Sequence, residues 1–397
     1  MTQLATTPNP FDRAPIILSA LAISAIGALF YNVLPLYIGA AQDFRSLSNQ
    51  QIGFISVAFF LGYNLATIWA FFWIRRWNWR WVTLAALPVA LLGLLASGYA
   101  KSYYLLLLAT VIAGGGFAAL YGIGTTILAD TSNPARWYGV KIAAETAPGA
   151  VLLFVIPSVL APIAGFNATA YGIGIVALLL APLLFLLPTQ GRVELEVNAA
   201  ADLSETDSAD INRTPILTAL AATLVFFSAA SGMWAFIERM GVSGGFSPER
   251  IGMLLSITLV TATSGSLLTA WLGERLGNTR PFYAACGAFI VALLILGASA
   301  GFSSFALGTC VLTFAIGMGL PFAIAEVAEL DADGRFIILS VPAIGMGAML
   351  GPGLSGMLAD AKGFSYVLVA AGVAIVIASM LMRYSSRHAV QKALATA

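Results

Sequence analysis

Lys141 and Glu145 stand four residues apart in the apolar run "VKIAAETAPGAV". On a helix, positions i and i+4 share a face, so an ammonium and a carboxylate would meet there. A carboxylate inside an apolar span costs at least a few kcal/mol on insertion scales, and a pair that only neutralised itself could give way to apolar side chains at lower cost. Two readings stay open: a local ion pair, or a group that exchanges a proton or holds a charged substrate, with Lys141 modulating it. Tyr31, Asn32, Tyr63, Asn64, Tyr121 and Trp234 also interrupt apolar runs. Aromatic bodies with polar tips suit a small, partly apolar organic solute bearing a few hydrogen-bonding groups.

Other chemistry lacks its parts. The single histidine, His388, lies in the tail, which removes Ser-His and His-metal arrangements, and no Gly-Lys-Ser phosphate loop is present. Cys286 and Cys310 fall inside apolar spans and build neither a disulfide framework nor a metal site. No enzyme, metal, cofactor or nucleic-acid partner is expected. Three further charges lie near span ends: Glu326, about one turn inside the tenth, and Glu238 and Arg239, which end the seventh. The last two are adjacent and so should not face each other on a helix; they mark a gate contact or a solvated helix end.

These residues must be positioned by helices in lipid. The chain of 397 residues is 59% hydrophobic and 9% charged, with a mean hydropathy of +0.91, far from the roughly 25% charge of soluble domains. About 20 apolar residues cross a bilayer core of about 30 Å, and on that rule the sequence divides into about twelve spans, the fifth over 138–163 and the sixth over 168–187. An acidic, weakly apolar stretch at 189–213 separates an N-terminal block, 1–188, from a C-terminal one, 214–397. Counting alternate loops, 14 of the 19 Lys and Arg residues fall on the side of both termini, which makes that side cytoplasmic. The start of the chain has no cleavable-signal pattern. The expected setting is a bacterial inner membrane, with the protein acting as a monomer.

The two blocks look alike. "LSNQQIG" at 47–53 and "FSPERIG" at 246–252 align at an offset of 199, as do Arg76 with Arg275 and Arg136 with Arg335. Ser48, with Gln51 three residues on, has the spacing of a capping box, and Ser247 precedes a proline at the first helical position. Between the second and third spans of the second block, Gly273, Glu274, Arg275, Gly277 and Arg280 resemble the cytoplasmic loop signature of the major facilitator superfamily. The resemblance implies an all-α membrane fold of twelve transmembrane helices in two pseudo-symmetric six-helix halves. It also implies a secondary transporter working by alternating access, with Tyr31, Asn32, Tyr63, Asn64, Tyr121 and Trp234 on pathway-lining helices. Glu274, with Arg275, Arg280, Arg76, Arg136 and Glu326 around it, would form a cytoplasmic gate. Glu274 should meet the start of the fifth span near Arg136 and Tyr138, and Arg75 in the first-half loop cannot copy that role, so the latch should be asymmetric.

Small residues around Gly114 have the spacing that lets helix backbones touch, and Gly351 with Pro352 combine close packing with a helix bend. The Gly-Pro pair resembles an antiporter signature, but it sits in the eleventh span where that family carries it in the fifth, so the direction of transport stays open. Proton-coupled uptake, proton-driven export of hydrophobic compounds, and an uncoupled receptor or lipid scramblase are the functions to separate.

Overall fold

In a computed structural model the described residues are 9–190, 213–272, 277–331, 336 and 339–396, and they are almost wholly helical. The long helices are α1 (Ala14–Arg45), α2 (Asn49–Trp73), α3 (Trp79–Tyr99), α4 (Tyr103–Ala129), α5 (Pro134–Val155), α6 (Ala168–Leu180), α7 (Thr214–Ser243), α8 (Pro248–Leu272), α9 (Thr279–Gly297), α10 (Phe302–Leu330), α11 (Ser340–Lys362) and α12 (Phe364–Thr396). Most of the 189–213 linker, with Glu274 and Arg275, lies outside the described residues.

Start signals read from sequence act as expected. The Ser48 hydroxyl accepts the N–H of Gln51 at 3.2 Å while the Gln51 side chain accepts the N–H of Ser48 at 3.0 Å, closing both halves of the capping box. The carbonyl of Ser247 takes the first bond of α8, from the N–H of Ile251, at 3.1 Å.

Eleven segments among the described residues are long and apolar enough to cross a membrane, and one of them, Arg136–Leu186, contains 51 residues. A straight helix of that length would reach about 75 Å, more than twice a bilayer core. The chain instead reverses at Gly165, whose φ of 56° and ψ of −129° lie where a side chain would be strained. A π turn at Ile156–Leu160, containing Pro157, precedes the reversal, and α6 packs back onto α5.

The N-terminal helices pack among themselves through α4, which touches α1, α2 and α3, and the C-terminal helices do so through α7 and α10. The two sets meet along α2 with α11, α5 with α8, and α1 with α7. The first four helices start at offsets of 199 or 200 from α7 to α10. A tighter correspondence lies in the helix crossings. A Cβ on Gly62 would stand 1.9 Å from the Val111 carbonyl oxygen and one on Gly114 2.1 Å from that of Phe59; Gly265 and Gly317 repeat both contacts, at 2.3 Å from Phe314 and 2.0 Å from Ala262. Each of these residues is 203 positions from its counterpart, so the crossing register shifts by about one turn relative to the helix starts. Alanine at Gly62, Gly114, Gly265 or Gly317 is expected to lower the unfolding temperature in detergent, at a cost of about 1–3 kcal/mol or more. Alanine at Gly287, whose Cβ would meet nothing within 4 Å, should not.

Candidate functional site

Asn133 caps α5 by accepting the N–H of Arg136 at 3.1 Å, with Pro134 at the first helical position. The helix therefore begins four residues before the boundary read from sequence, and Glu145 lies about 16 Å along it, half the thickness of a bilayer core. Nζ of Lys141 is 2.6 Å from Oε1 of Glu145, with side chains 6% and 12% exposed. Two neighbouring helices close over the pair. From α1, the Asn32 amide donates to the backbone carbonyl of Glu145 at 2.8 Å. This contact is reached because Gly149, one position after Pro148, leaves no Cβ where Asn32 sits. From α4, the Tyr121 ring lies with its centroid 3.7 Å from Nζ of Lys141, a distance at which the ring quadrupole attracts a cation. Tyr63 of α2 continues the wall, its ring centroid 6.2 Å from that of Tyr121.

This arrangement gives Lys141 two partners and Glu145 one. No neutral hydrogen-bond donor to the Glu145 carboxylate occurs among the described residues. If the carboxylate is neutralised, the ammonium keeps its place on the Tyr121 face, so the pair can separate without leaving a bare buried cation.

The other wall residues read from sequence fall on both sides of the α1/α7 seam. The Trp234 indole N–H donates to the Tyr31 carbonyl at 2.9 Å, and the Tyr31 ring lies 6.2 Å from that of Phe227. Asn64 faces α11, where Gly345 leaves the space that its side chain uses. Its buried amide nitrogen has no partner among the described residues, which suits it to a polar group arriving from outside the chain. Gly351 lies against the Ser228 carbonyl of α7, and the carbonyl of Pro352 faces Gly53 of α2. Both residues lie at helix contacts, and α11 continues unbroken through the proline.

Bonds joining the two helix sets between described residues lie at mid-helix or toward the face opposite the termini. At mid-helix the hydroxyls of Thr146 and Thr263 are 3.2 Å apart, and Ser256 donates to the Ala150 carbonyl at 2.7 Å. Toward the far face, Arg239 of α7 donates to both carboxylate oxygens of Asp43 on α1, at 2.6 and 3.0 Å, and to both of Glu238, at 2.5 and 2.6 Å. Here the sequence reading is corrected. Adjacent positions on a helix do not face each other, but the arginine fork is long enough to turn back on its neighbour, and Glu238 and Arg239 are 3% and 5% exposed rather than solvated. At the same face the Asp360 carboxylate of α11 accepts the N–H groups of Asn49 and Gln50, both at 2.8 Å, capping the N-terminus of α2 from the opposite set.

At the face of the termini Arg75 pairs with Asp130 at 2.6 Å, with the aspartate side chain fully buried. Arg76, Arg136 and Arg280 are exposed there; Arg136 stacks on Trp137 at 5.2 Å, and none of the three is ion-paired with a described residue. Glu326 is buried, at 6% exposure, beside Ser386 of α12 and Tyr283 of α9, all within the C-terminal set.

Asp43, Asp130 and Asp360 are absent from the sequence-based candidates. Asp130 and Asp360 did carry a signal: an acid in or just past the last turn opposes the helix dipole and so calls for a compensating partner elsewhere. The contact of Tyr121 with Lys141 had none, because it depends on how α4 and α5 lie together.

Comparison with known proteins agrees with this architecture. The chloroplastic D-xylose-proton symporter-like 3 of Arabidopsis thaliana is 26% identical over 180 residues, which cover 43% of this chain and 32% of that protein. The match thus spans about a third of the curated relative's length. The crystal structure of a D-xylose-proton symporter superposes with a TM-score of 0.74 at 15% identity, covering 93% of this chain and 96% of the other. A bacterial homologue of the human lysosomal transporter Spinster, inward-facing and unoccupied, gives 0.69 at 17% identity, with 96% and 98% covered. The model of the Major Facilitator Superfamily matches residues 16–332, and with eleven segments among its described residues long and apolar enough to cross a membrane the chain is an integral membrane protein belonging to that superfamily of transporters.

Proposed function

We propose that the protein is a proton-coupled secondary transporter for a small, partly apolar organic solute. Its twelve crossings form two six-helix halves that rock about a site between them. The observation that carries this reading is the buried Lys141–Glu145 pair about 16 Å along α5, 2.6 Å apart and bordered by Asn32, Tyr121 and Tyr63. Glu145 exchanges the coupling proton, Lys141 shifts between the carboxylate and the Tyr121 ring as it does so, and Asn64, Tyr31 and Trp234 contribute the solute-facing wall. Repeated helix starts and repeated glycine crossings support the two-half arrangement. The Arg239 clamp and the Asp360 cap would hold the far face shut while the solute exchanges from the face of the termini, which the distribution of Lys and Arg makes cytoplasmic in a bacterial inner membrane.

Vesicles containing the purified protein and an internal pH dye test this directly. Challenged with pentoses, nucleosides, organic anions, organic cations and neutral aromatics, they should show proton movement with one class. Transport of a solute with no accompanying proton would overturn coupling and favour a uniporter.

A further inference from the structure

On the outer surface of the C-terminal set, α9 and α12 leave a groove of about 500 Å³ between Tyr283, Gly287 and Ile290 on one side and Val376, Met380 and Arg383 on the other. Neither helix packs substantially against the N-terminal set, and Met380 is 64% exposed, so the groove opens to the bilayer. Its floor is made by an absence: a Cβ on Gly287 would meet nothing within 4 Å.

Charge collects only at the end nearest the termini. Arg280 precedes Tyr283 by three positions and Arg387 follows Arg383 by four, so each lies one turn from a groove residue on the same helix face. Arg280, Arg383 and Arg387 are exposed, and none is ion-paired with a described residue. Of the nearby acids, Glu326 is buried inside the bundle and Glu329 accepts the Asn278 amide at 2.6 Å. From Arg280 to Ile290 the apolar trough runs about 15 Å, the depth of one hydrocarbon leaflet. A second groove, between α3 and α6, is lined by leucine, isoleucine, alanine, glycine and tyrosine without any charge, so it does not share the cationic mouth.

We propose that the α9/α12 groove binds an anionic phospholipid of the leaflet at the termini, with one acyl chain over Gly287 and the phosphate held by Arg280, Arg383 and the Tyr283 hydroxyl. Both arginines are exposed and the trough is formed by a missing side chain, so the site can be removed without disturbing the core.

The test is native mass spectrometry of the full chain in detergent, with phosphatidylglycerol or phosphatidylcholine of identical acyl chains added. Phosphatidylglycerol adducts should survive collisional activation that strips phosphatidylcholine. The double variant R280Q/R383Q should reduce their retention about five-fold, to the phosphatidylcholine level, and Gly287→Leu should reduce it with all arginines present. The control R76Q/R136Q, which removes two exposed cations elsewhere on that face, should leave the preference in place. Equal retention of the two lipids, or an equal loss in the control, would overturn the proposal by reducing it to surface charge. Full retention in Gly287→Leu would overturn it by removing the groove from the interaction.

Discussion

Glu145→Gln is expected to abolish solute-driven proton movement in vesicles, at least ten-fold below the parent, while binding of solute persists. The substitution keeps the shape of the side chain and removes the only titratable oxygen pair on α5 facing Lys141. It leaves the ammonium on the Tyr121 ring, 3.7 Å from its centroid, an attraction of about 2 kcal/mol or more when desolvated. Lys141→Met should be worse for folding, because it leaves a carboxylate with no donor among the described residues. Breaking a buried pair from one side costs about 3–5 kcal/mol, so Lys141→Met should unfold well before Glu145→Gln, and the double variant should recover much of the difference without recovering transport. Thermal unfolding separates the three proteins, and the pH dye reports coupling. Proton-coupled accumulation at the parental rate in Glu145→Gln would remove Glu145 from the mechanism.

Arg239→Gln should release the far face. The guanidinium is shared between Glu238 and Asp43, which are unequal partners: their side chains are 5% and 52% exposed. Loss of the arginine strands the buried Glu238 carboxylate, again about 3–5 kcal/mol, and removes the ion pair that joins α1 to α7. Asp43→Asn removes only a half-solvated partner and should cost less than about 1 kcal/mol. Spin labels at Lys101 and Glu249, exposed positions on the two helix sets at that face, should give a longer and broader distance distribution in Arg239→Gln and a smaller change of the same sign in Asp43→Asn, which keeps the contact of Arg239 with Gln42. An unchanged distribution in Arg239→Gln would make the clamp a surface ornament rather than a closure.

What could be read from the chain alone followed local rules. The Ser48 capping box, the i,i+4 meeting of Lys141 with Glu145 and the break between the fifth and sixth spans all depend on residues within one turn or one loop of each other, and each lies where expected. Asn32 stands out by its type and by the pathway-lining helix that the family resemblance gives it, but its contact with the Glu145 backbone carbonyl has no signal in the sequence. Most of the misses are tertiary. Asp43 and Asp360 meet partners 196 and 311 positions away, and no periodicity in an apolar sequence encodes which loop acid ends beside which helix. Glu238 and Arg239 failed for a different reason: the face rule holds for Cβ directions, whereas an arginine reaches round its own helix.

The Asp360 contact makes rigid rocking incomplete as a description. Two amides at the start of α2 are satisfied by a carboxylate that belongs to the other set, so parting the far ends of the bundle hands those amides to water, while Ser48 goes on capping Gln51. The first turn of α2 then becomes a place where the helix can fray at the moment the vestibule admits solvent. Secondary structure at that rim is in this sense conditional on conformation, and order in a few peptide groups would rise and fall with each transport cycle.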